Sequence, residues 1–199
     1  YRQWGLYAHY HPTLIGRLAQ EHPEEIGFHY FLQYHLDRQL RHVRDYCHLT
    51  GICLKGDIPI GISPTSVDAW QWPQLFNLDA SAGAPPDPFA RLGQNWGFPT
   101  YNWQAMSRDG FAWWRARFSK MADYFDAYRI DHILGFFRIW QIPASQTHGL
   151  LGTFSPALPL TPEEIHDGYN FRFDSHLHTS PWITDQVLAD TFGPYAGDI

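Results

Sequence analysis

The sequence has 199 residues, of which 44% are apolar and 17% aromatic, so it can bury the core of one globular domain. Its net charge of −6, without a basic stripe, argues against a nucleic-acid partner, and no apolar run approaches the roughly 20 residues that span a membrane. The two cysteines, Cys47 and Cys53, lack C-x-x-C spacing, which favours reduced, buried thiols in a cytoplasmic protein, with a disulfide as the alternative. The opening residues show no signal-peptide pattern.

The first predicted element is a long amphipathic helix from Pro23 to Leu49. Its apolar residues recur three or four positions apart, the spacing of one helical face, at Phe28, Phe31, Leu32, Leu36, Leu40, Val43 and Cys47. Gly51 is a typical helix stop signal. The apolar run Ile52–Leu54 then predicts a strand that ends at Lys55-Gly56-Asp57, with a carboxylate at its carboxyl end.

A long connection from Pro64 to Met106 follows, rich in proline, glycine and tryptophan. Connections of this length are functional or disordered, and the tryptophans argue against disorder. We therefore expect the connection to form part of a substrate groove. Either ligand binding or core packing can account for its tryptophans Trp70, Trp72 and Trp103.

A second helix and strand repeat the pattern. Ser107 and Asp109 are candidate caps for a helix whose apolar residues are Phe111, Trp114, Phe118, Met121, Ala122 and Phe125. The helix leads into a strand at Tyr128–Ile130, followed by Asp131 in the place that Asp57 takes in the first unit. Sites of β/α barrels lie at the carboxyl ends of such strands. Within the helix pattern, Trp113 and Trp114 are expected to pack in the core.

Arg129 and Asp131 are the strongest candidates for chemistry. Side chains two residues apart on a strand point to the same face, so the guanidinium and the carboxylate can converge on one site. A neighbouring guanidinium keeps a carboxylate ionised, which suits a nucleophile. A purely structural Arg–Asp pair is the alternative.

The 12 histidines raise the question of a metal site. The closest pairs, His9 with His11 and His176 with His178, do not form H-E-x-x-H and have no cysteine or carboxylate cluster at zinc-ligand spacing. We therefore expect neither a metal nor an organic cofactor. A metal-dependent hydrolase, resting on these histidines and carboxylates, is a rival hypothesis.

Four segments follow one another in a specific order: Lys55-Gly56-Asp57-Ile58-Pro59-Ile60-Gly61, Leu78-Asp79-Ala80-Ser81-Ala82-Gly83-Ala84-Pro85-Pro86-Asp87, Gly93-Gln94-Asn95-Trp96-Gly97 and Arg129-Ile130-Asp131-His132. This arrangement resembles the amylomaltases, the 4-alpha-glucanotransferases of glycoside hydrolase family 77, from about Phe28 to Pro143.

The resemblance implies an α/β fold that is part of a (β/α)8 TIM barrel. Residues 1–143 would form a partial catalytic barrel with strands three and four and the groove connection 64–106, and residues 144–199 would start an insertion or subdomain. A complete barrel typically needs roughly 250 residues or more, so we expect the chain to be a piece of the enzyme and inactive alone.

The resemblance also implies a retaining mechanism in which Asp131 is the nucleophile. Arg129 would be its electrostatic partner, and Asp57 a carboxylate at the mouth of the barrel. Without the resemblance, a turn or cap role before Pro59 is the favoured interpretation of Asp57. His132 either binds substrate or packs beside the strand.

Further implied contacts come from the connection. Asp87, which alone indicates a rigid turn, would lie in a loop over the acceptor chain, with Gln94 and Trp96 offering amide hydrogen bonds and an apolar face to a glucose ring. An aromatic residue commonly follows this Pro-Pro-Asp in the family, whereas here Pro88 precedes Phe89. This departure from the family pattern affects the residues that are expected to contact the acceptor glucan.

The family's acid glutamate, in an E-D-L-G motif, and its H-D pair have no match in the sequence. The segment Ala189-Asp190-Thr191-Phe192-Gly193 lacks the glutamate and follows a helix-like run. Glu163 and Glu164 fit a solvated helix start, where acids favour the helix dipole. Neither segment is therefore expected to supply the general acid.

The partners implied are α-1,4-glucans and maltooligosaccharides. A non-catalytic α-glucan-binding module with the same aromatic groove is the alternative function. Self-association of the chain is a further expectation, because an incomplete barrel leaves strand edges open.

Overall fold

The computed structural model describes residues 1–180 and 183–198 and has a mixed α/β fold, as predicted. Two units are distinguished, Tyr1–Ala157 and Leu158–Ile199. The helices of the first unit are α1 (Pro12–Glu21), α2 (Pro23–Leu49), α3 (Val67–Gln71), α4 (Trp103–Ser107) and α5 (Ala112–Ala122). Its strands are β1 (Lys55–Ile58), β2 (Phe76–Asn77), β3 (Ala80–Ala84), β4 (Gln94–Asn95), β5 (Thr100–Tyr101), β6 (Ala127–Ile130), β7 (Ile139–Pro143) and β8 (Thr153–Ser155).

Helix α2 confirms the predicted long helix with the predicted bounds. Gly51 has φ +73°, and its N–H lies 3.2 Å from the His48 carbonyl oxygen. The Ile52 N–H donates to the Cys47 carbonyl at 2.8 Å. These two bonds form a Schellman motif, so the glycine ends the helix in the left-handed conformation that glycine adopts without steric cost.

Strands β1 and β6 form a parallel pair in which Asp57 lies opposite Arg129. The prediction of a strand at Ile52–Leu54 is wrong, because β1 begins at Lys55. Leu54 instead joins the connection: its N–H donates to the Asp126 carboxylate at 2.9 Å, and its carbonyl accepts the Asp126 N–H at 2.9 Å. Asp57 is therefore inside the strand and not at its carboxyl end.

The predicted connection contains several short elements, and part of it builds an antiparallel sheet in the order β4-β3-β7-β8. Strand β3 pairs with β7 from Ala80 opposite Pro143 to Gly83 opposite Trp140. Strand β3 is not among the predicted elements, because its residues Ala-Ser-Ala-Gly-Ala carry none of the branched or aromatic side chains that are typical of strands. Its pairing is determined by β7, far along the chain.

The core lies among β1, the connection, α5 and β7. Its buried residues are Ile58, Ile60, Leu75, Phe76, Ala82, Tyr101, Met106, Trp114 and Ile139. Trp113 packs against it, which confirms the expectation for the two helix tryptophans. Trp72 and Trp103 also pack there, whereas Trp70 makes edge contacts with Trp4 and Tyr10.

Of the two predicted caps of α5, Asp109 bonds the first helical N–H, although the N-cap position itself is Phe111 and makes no side-chain bond. The Asp109 carboxylate accepts the Ala112 N–H at 3.0 Å, as expected of a helix-start acid. Ser107 is wrong as a cap of α5, because it is the last residue of α4 and its hydroxyl donates to the Gln104 carbonyl at 2.9 Å.

The second unit contains α6 (Pro162–Tyr169), α7 (Ser175–Thr179) and α8 (Asp185–Phe192). Glu164, in the first turn of α6, forms a capping box with Thr161. Asp190 lies in α8 and accepts a hydrogen bond from Gln186. Both acids have local structural roles. Among the helices of residues 1–180 and 183–198, none has the length and apolar character needed to cross a membrane.

An ion network joins α2 to the end of α5. Asp37 accepts hydrogen bonds from Lys120 at 2.5 Å, Tyr124 at 2.5 Å and Arg41 at 3.0 Å. Arg41 also donates to Asp123 at 2.6 Å. The hydrogen bond from Lys120, followed by those from Tyr124 and Arg41, holds the pKa of the Asp37 carboxyl well below its ordinary value.

We expect the contribution of this network to stability to depend on pH. Because the pKa of Asp37 is depressed on folding, its contribution is present above the unfolded pKa of about 3.9 and is lost as the pH falls through the folded pKa. Asp37→Asn should therefore lower Tm at pH 7, and the Tm difference should shrink below about pH 4. Asp167→Asn, at a side chain that is 82% exposed, is the control. An equal Tm difference at pH 7 and pH 3 would contradict the assignment.

The apolar stripe of α2 is exposed in the described chain, apart from Cys47, which is a buried free thiol as predicted. The expectation is wrong for Cys53, which is exposed in the segment between α2 and β1. Phe28 and Phe31 are each 58% exposed, and Leu36 is 51% exposed. α2 contacts α5 through the charged side chains at Asp37 and Arg41 instead. An exposed row of apolar side chains of this length promotes association.

We therefore expect the isolated 199-residue chain to self-associate through this stripe. The double change Leu36→Gln with Leu40→Gln should shift its sedimentation velocity towards that of the monomer. Tyr34→Gln, an exposed aromatic change outside the stripe on α2, should not. A monomeric unmodified chain at tens of micromolar would refute the prediction.

Candidate active site

Arg129 bridges two carboxylates at the β1–β6 pair. Its Nη1 lies 2.9 Å from Asp57 Oδ2, and its Nη2 lies 3.2 Å from Asp131 Oδ1. The structure thus brings together three of the charged residues that the sequence singled out. All three side chains are about half exposed, so these bonds fix geometry more than they stabilise the fold.

Asp57 and Asp131 do not occupy equivalent positions, contrary to the expectation from the repeated pattern. The register places Asp57 opposite Arg129, whereas Asp131 is the first residue after β6. The Asp131 N–H donates to the Ile58 carbonyl at 3.2 Å, which extends the ladder by one bond. Asp131 therefore lies beyond the strand pair. Asp57 is linked to it only indirectly, because Arg129 binds both carboxylates.

A cavity of about 790 Å³ lies where Asp131 emerges. Its lining is made by the segment that follows β1, by the segment that follows β4 and by the end of β6: Pro59, Ile60, Gly61, Ile62, Ser63, Pro64, Trp96, Gly97, Phe98, Asp131 and His132. Its volume is within the range of small-molecule sites. Of the predicted site residues, Asp131, His132 and Trp96 line it directly.

Trp96 is held in place by contacts on several sides. Its Nε1 donates to Gln94 Oε1 at 3.0 Å, and its ring stacks on Phe98 with centroids 5.8 Å apart. The ring also meets His132 edge-on at 4.9 Å. Trp96 thus both packs against the core and faces the cavity. Because the amide oxygen of Gln94 accepts this hydrogen bond, the NH2 group of Gln94 can donate to other partners.

His132 has its backbone in the left-handed region, with φ +48°. It precedes a 3-10 turn, Ile133–Phe136, in which a Cβ at Gly135 would lie 2.8 Å from His132 Cδ2. A non-glycine residue held in this region costs conformational energy that the surroundings must offset, and such residues cluster at functional sites. The left-handed conformation of His132 turns the chain sharply after Asp131 and places the imidazole against Trp96.

Asp87 lies outside the cavity lining and closes its own turn. Its Oδ1 accepts the N–H groups of Phe89 at 2.8 Å and Ala90 at 2.6 Å. The turn exposes Phe89 almost completely, at 99%. The carboxylate therefore shapes this loop, and Phe89 is the aromatic group that the loop presents to solvent.

Sequence reasoning missed Phe98 as a cavity residue. A Cβ at Gly61 would lie 2.1 Å from the Phe98 ring, so the glycine allows the aromatic ring to close the cavity wall beside Trp96. The available signal was the glycine that ends the motif Ile58-Pro59-Ile60-Gly61 together with an aromatic residue two positions after Trp96. Nothing local in the sequence indicates that these two segments meet.

The site combines a half-exposed carboxylate, an imidazole and two stacked aromatic rings. Carboxylates accept hydroxyl hydrogen bonds, and aromatic faces pack on apolar ring surfaces, so the set suits a sugar ring. Within residues 1–180 and 183–198, no three His, Cys, Asp or Glu side chains gather in a way that could hold a metal ion.

Comparisons with known proteins agree on one family. A family model described as 4-alpha-glucanotransferase matches residues 1–167. The 4-alpha-glucanotransferase DPE2 of Oryza sativa subsp. japonica is 46% identical over 97% of this chain and 20% of its own length. The chloroplastic/amyloplastic 4-alpha-glucanotransferase of Solanum tuberosum is 36% identical over 75% of this chain and 27% of its own length.

A solved structure gives the same result. The Streptococcus agalactiae amylomaltase in complex with acarbose matches with a TM-score of 0.71 and 28% identity, over 96% of this chain and 41% of that chain. The chain thus spans from 20% to 41% of the length of these three proteins.

We expect Trp96→Ala, in the polypeptide encoded by the complete reading frame, to weaken maltoheptaose binding about tenfold, because it removes an aromatic face from the cavity. Titration calorimetry measures the affinity and thermal unfolding the stability. Gln94→Ala should act in the same direction but less strongly. Trp113→Ala, which removes a core-packed tryptophan away from the cavity, should lower Tm and leave affinity unchanged. A Trp96→Ala protein that loses Tm but keeps its affinity would establish a packing role alone.

Proposed function

Because the chain belongs to the 4-alpha-glucanotransferase family, we propose that it forms the nucleophile side of a retaining α-glucanotransferase active site. The reaction moves α-1,4-glucan segments between maltooligosaccharides or longer glucans. The observation that carries the proposal is Asp131, which lines an aromatic cavity while Arg129 holds one of its oxygens.

In the proposed mechanism, one Asp131 oxygen attacks the anomeric carbon of the donor glucan. The bond to the leaving glycosidic oxygen breaks, and a covalent glycosyl–enzyme forms. The hydroxyl of an acceptor glucan then displaces Asp131, so the glycosyl group is transferred and the configuration is retained. Arg129 orients the carboxylate through its hydrogen bond, and Asp57 fixes Arg129 from the neighbouring strand.

Retaining chemistry also needs a second carboxyl group about 5–5.5 Å from the nucleophile. It protonates the leaving oxygen, and the carboxylate that results takes the proton of the acceptor hydroxyl when that hydroxyl displaces Asp131. We infer that the group is a glutamic acid in a part of the relatives that this chain does not cover. Of the acids considered from the sequence, Glu164 caps α6 and Asp190 accepts a hydrogen bond from Gln186.

We infer the binding roles from the cavity lining and from the loop that leads into it. Trp96 and Phe98 offer an aromatic wall to a glucose ring, and His132 offers a ring nitrogen beside the nucleophile. The NH2 group of Gln94 and the loop closed by Asp87 serve the acceptor side. The acarbose complex of the Streptococcus agalactiae amylomaltase supports an oligosaccharide as the ligand.

We further propose that β1 and β6 are strands three and four of a (β/α)8 barrel. They are parallel and joined by a connection that ends in α5, which is the form of a β/α unit. Residues 1–143 would then belong to the catalytic barrel and residues 144–199 to an insertion or subdomain start, in a cytoplasmic enzyme. The likeness to the Streptococcus amylomaltase supports this arrangement.

Asp131→Asn tests the nucleophile in the complete polypeptide. We expect it to lower the release of glucose from maltotriose about a thousandfold or more, with an unchanged Tm, because the amide keeps the shape and cannot form the glycosyl ester. Asp167→Asn is the control for an unspecific charge effect. Glucose release near the unmodified rate by the Asp131 variant would reject the assignment.

A maltosyl fluoride separates the nucleophile from the general acid, because fluoride departs without needing a proton. Mass spectrometry should find a glycosyl adduct on the peptide that contains Asp131 and none in Asp131→Asn. If the unmodified polypeptide binds maltoheptaose yet neither transfers glucan nor forms the adduct, the chain is a glucan-binding module and not part of an enzyme.

A further inference from the structure

The connection between β3 and β4 is a loop from Pro85 to Gly93 that presents Phe89 and Arg91 to solvent. Its inner turn is closed by Asp87, and the Gly93 N–H donates to the Ala90 carbonyl at 2.8 Å. The loop therefore has local order of its own. Its orientation relative to the sheet depends on what supports its base.

The base of the loop is in contact with a glycine from a distant segment. A Cβ at Gly149 would lie 2.6 Å from the Ala84 carbonyl oxygen, 2.7 Å from the Gln94 nitrogen and 2.9 Å from Gly93 Cα. All three are backbone atoms at the two ends of the loop, so no side-chain movement can relieve the clash. Only a residue without a Cβ permits this approach.

The segment around Gly149 is itself held to the sheet. Trp140 in β7 donates its Nε1 hydrogen to the Gly149 carbonyl at 2.8 Å, and its ring leaves no room for a Cβ at Gly152. Asn95 in β4 donates to the Gln146 carbonyl at 2.9 Å. The segment 146–152 is thus joined to the loop base at one end and to β7 at the other.

The same strand ends lead into the cavity. Gln94 directly follows the loop, and Trp96 is two residues further, with its N–H donating to the Ala82 carbonyl at 3.0 Å. A displacement of the Ala84–Gln94 base would therefore move Trp96 in the cavity and Phe89 on the loop together.

We propose that Gly149 is a positioning residue: with Trp140 behind it, the segment 146–152 clamps the base of the 85–93 loop and sets how the loop and Trp96 meet the acceptor glucan. The clamp is a property of the fold. Its effect on the acceptor rests on the proposed transferase function.

Gly149→Ala and Trp140→Phe test the clamp in the complete polypeptide, with Leu151→Ala as the control. Leu151 is 64% exposed in the same turn. Trp140→Phe keeps an aromatic ring in β7 but removes the hydrogen bond to Gly149 and part of the indole that packs against Gly152. It keeps the glycine backbone at position 149, so its effect should be in the same direction and smaller. Neither Gly149 nor Trp140 lines the cavity.

The first measurement is limited proteolysis by trypsin at Arg91, which requires no enzymatic activity. We expect cleavage after Arg91 in Gly149→Ala to be about tenfold faster, while cleavage after Arg129 within β6, which reports global unfolding, changes little. Leu151→Ala should behave as the unmodified protein does. Unchanged cleavage after Arg91, or equal acceleration at both arginines, would overturn the clamp.

The second measurement is the kinetics of transfer to a varied acceptor. Because small displacements of a binding group are costly, Gly149→Ala should raise the acceptor KM about tenfold and change kcat by less than about threefold. A lower Tm with an unchanged KM would reduce Gly149 to a structural residue and overturn the positioning role. If the unmodified protein transfers no glucan, the proposed function fails, and the tryptic result still decides the clamp.

Discussion

The parallel pairing of β1 with β6 is the interaction on which the site depends. Its register places Asp57 opposite Arg129, which allows one guanidinium to bind a carboxylate on each strand. A shift by one residue would turn Arg129 towards the opposite face from Asp57 and break the bridge. The register also places the Asp131 N–H on the Ile58 carbonyl, so the carboxylate leaves the sheet at the cavity. The backbone hydrogen bonds thus determine where Asp57, Arg129 and Asp131 lie along the strand pair, and the half-exposed ion pairs orient their side chains.

Local signals in the sequence predicted a large part of this frame. The bounds of α2 follow from its apolar spacing, from Pro23 at its first turn and from the Schellman glycine at Gly51. The strand β6 and the Asp109 cap were likewise predicted from neighbouring residues. The helix and its end signals depend on hydrogen bonds between residues close in the chain, so a single sequence contains the information for them. Strand β6 was predicted from its own residues, although its hydrogen bonds are to the distant strand β1.

What the sequence did not predict depends on contacts between distant segments. β3 is a strand because β7 lies beside it, and its small residues give no local signal. The start of β1 was misplaced because apolarity indicated Ile52–Leu54, whereas the ladder begins where Ala127 comes alongside Lys55. For the site, the motifs identified Asp131, His132 and Trp96 as neighbours, but the Phe98 wall requires Gly61 to come within contact of a ring thirty-seven positions away.

The cavity is supported in two ways, by charge and by close packing. Arg129 supports Asp131 through charge, in an exposed place where water and salt weaken each bond. The aromatic wall is supported by close packing, since Gly61 against Phe98 and Gly149 against the strand ends leave no space for one additional carbon atom. Packed interiors deform little and transmit displacement, whereas exposed ion pairs adjust. The aromatic wall is therefore the rigid part of the site, and Asp131 is positioned mainly by the strand that precedes it.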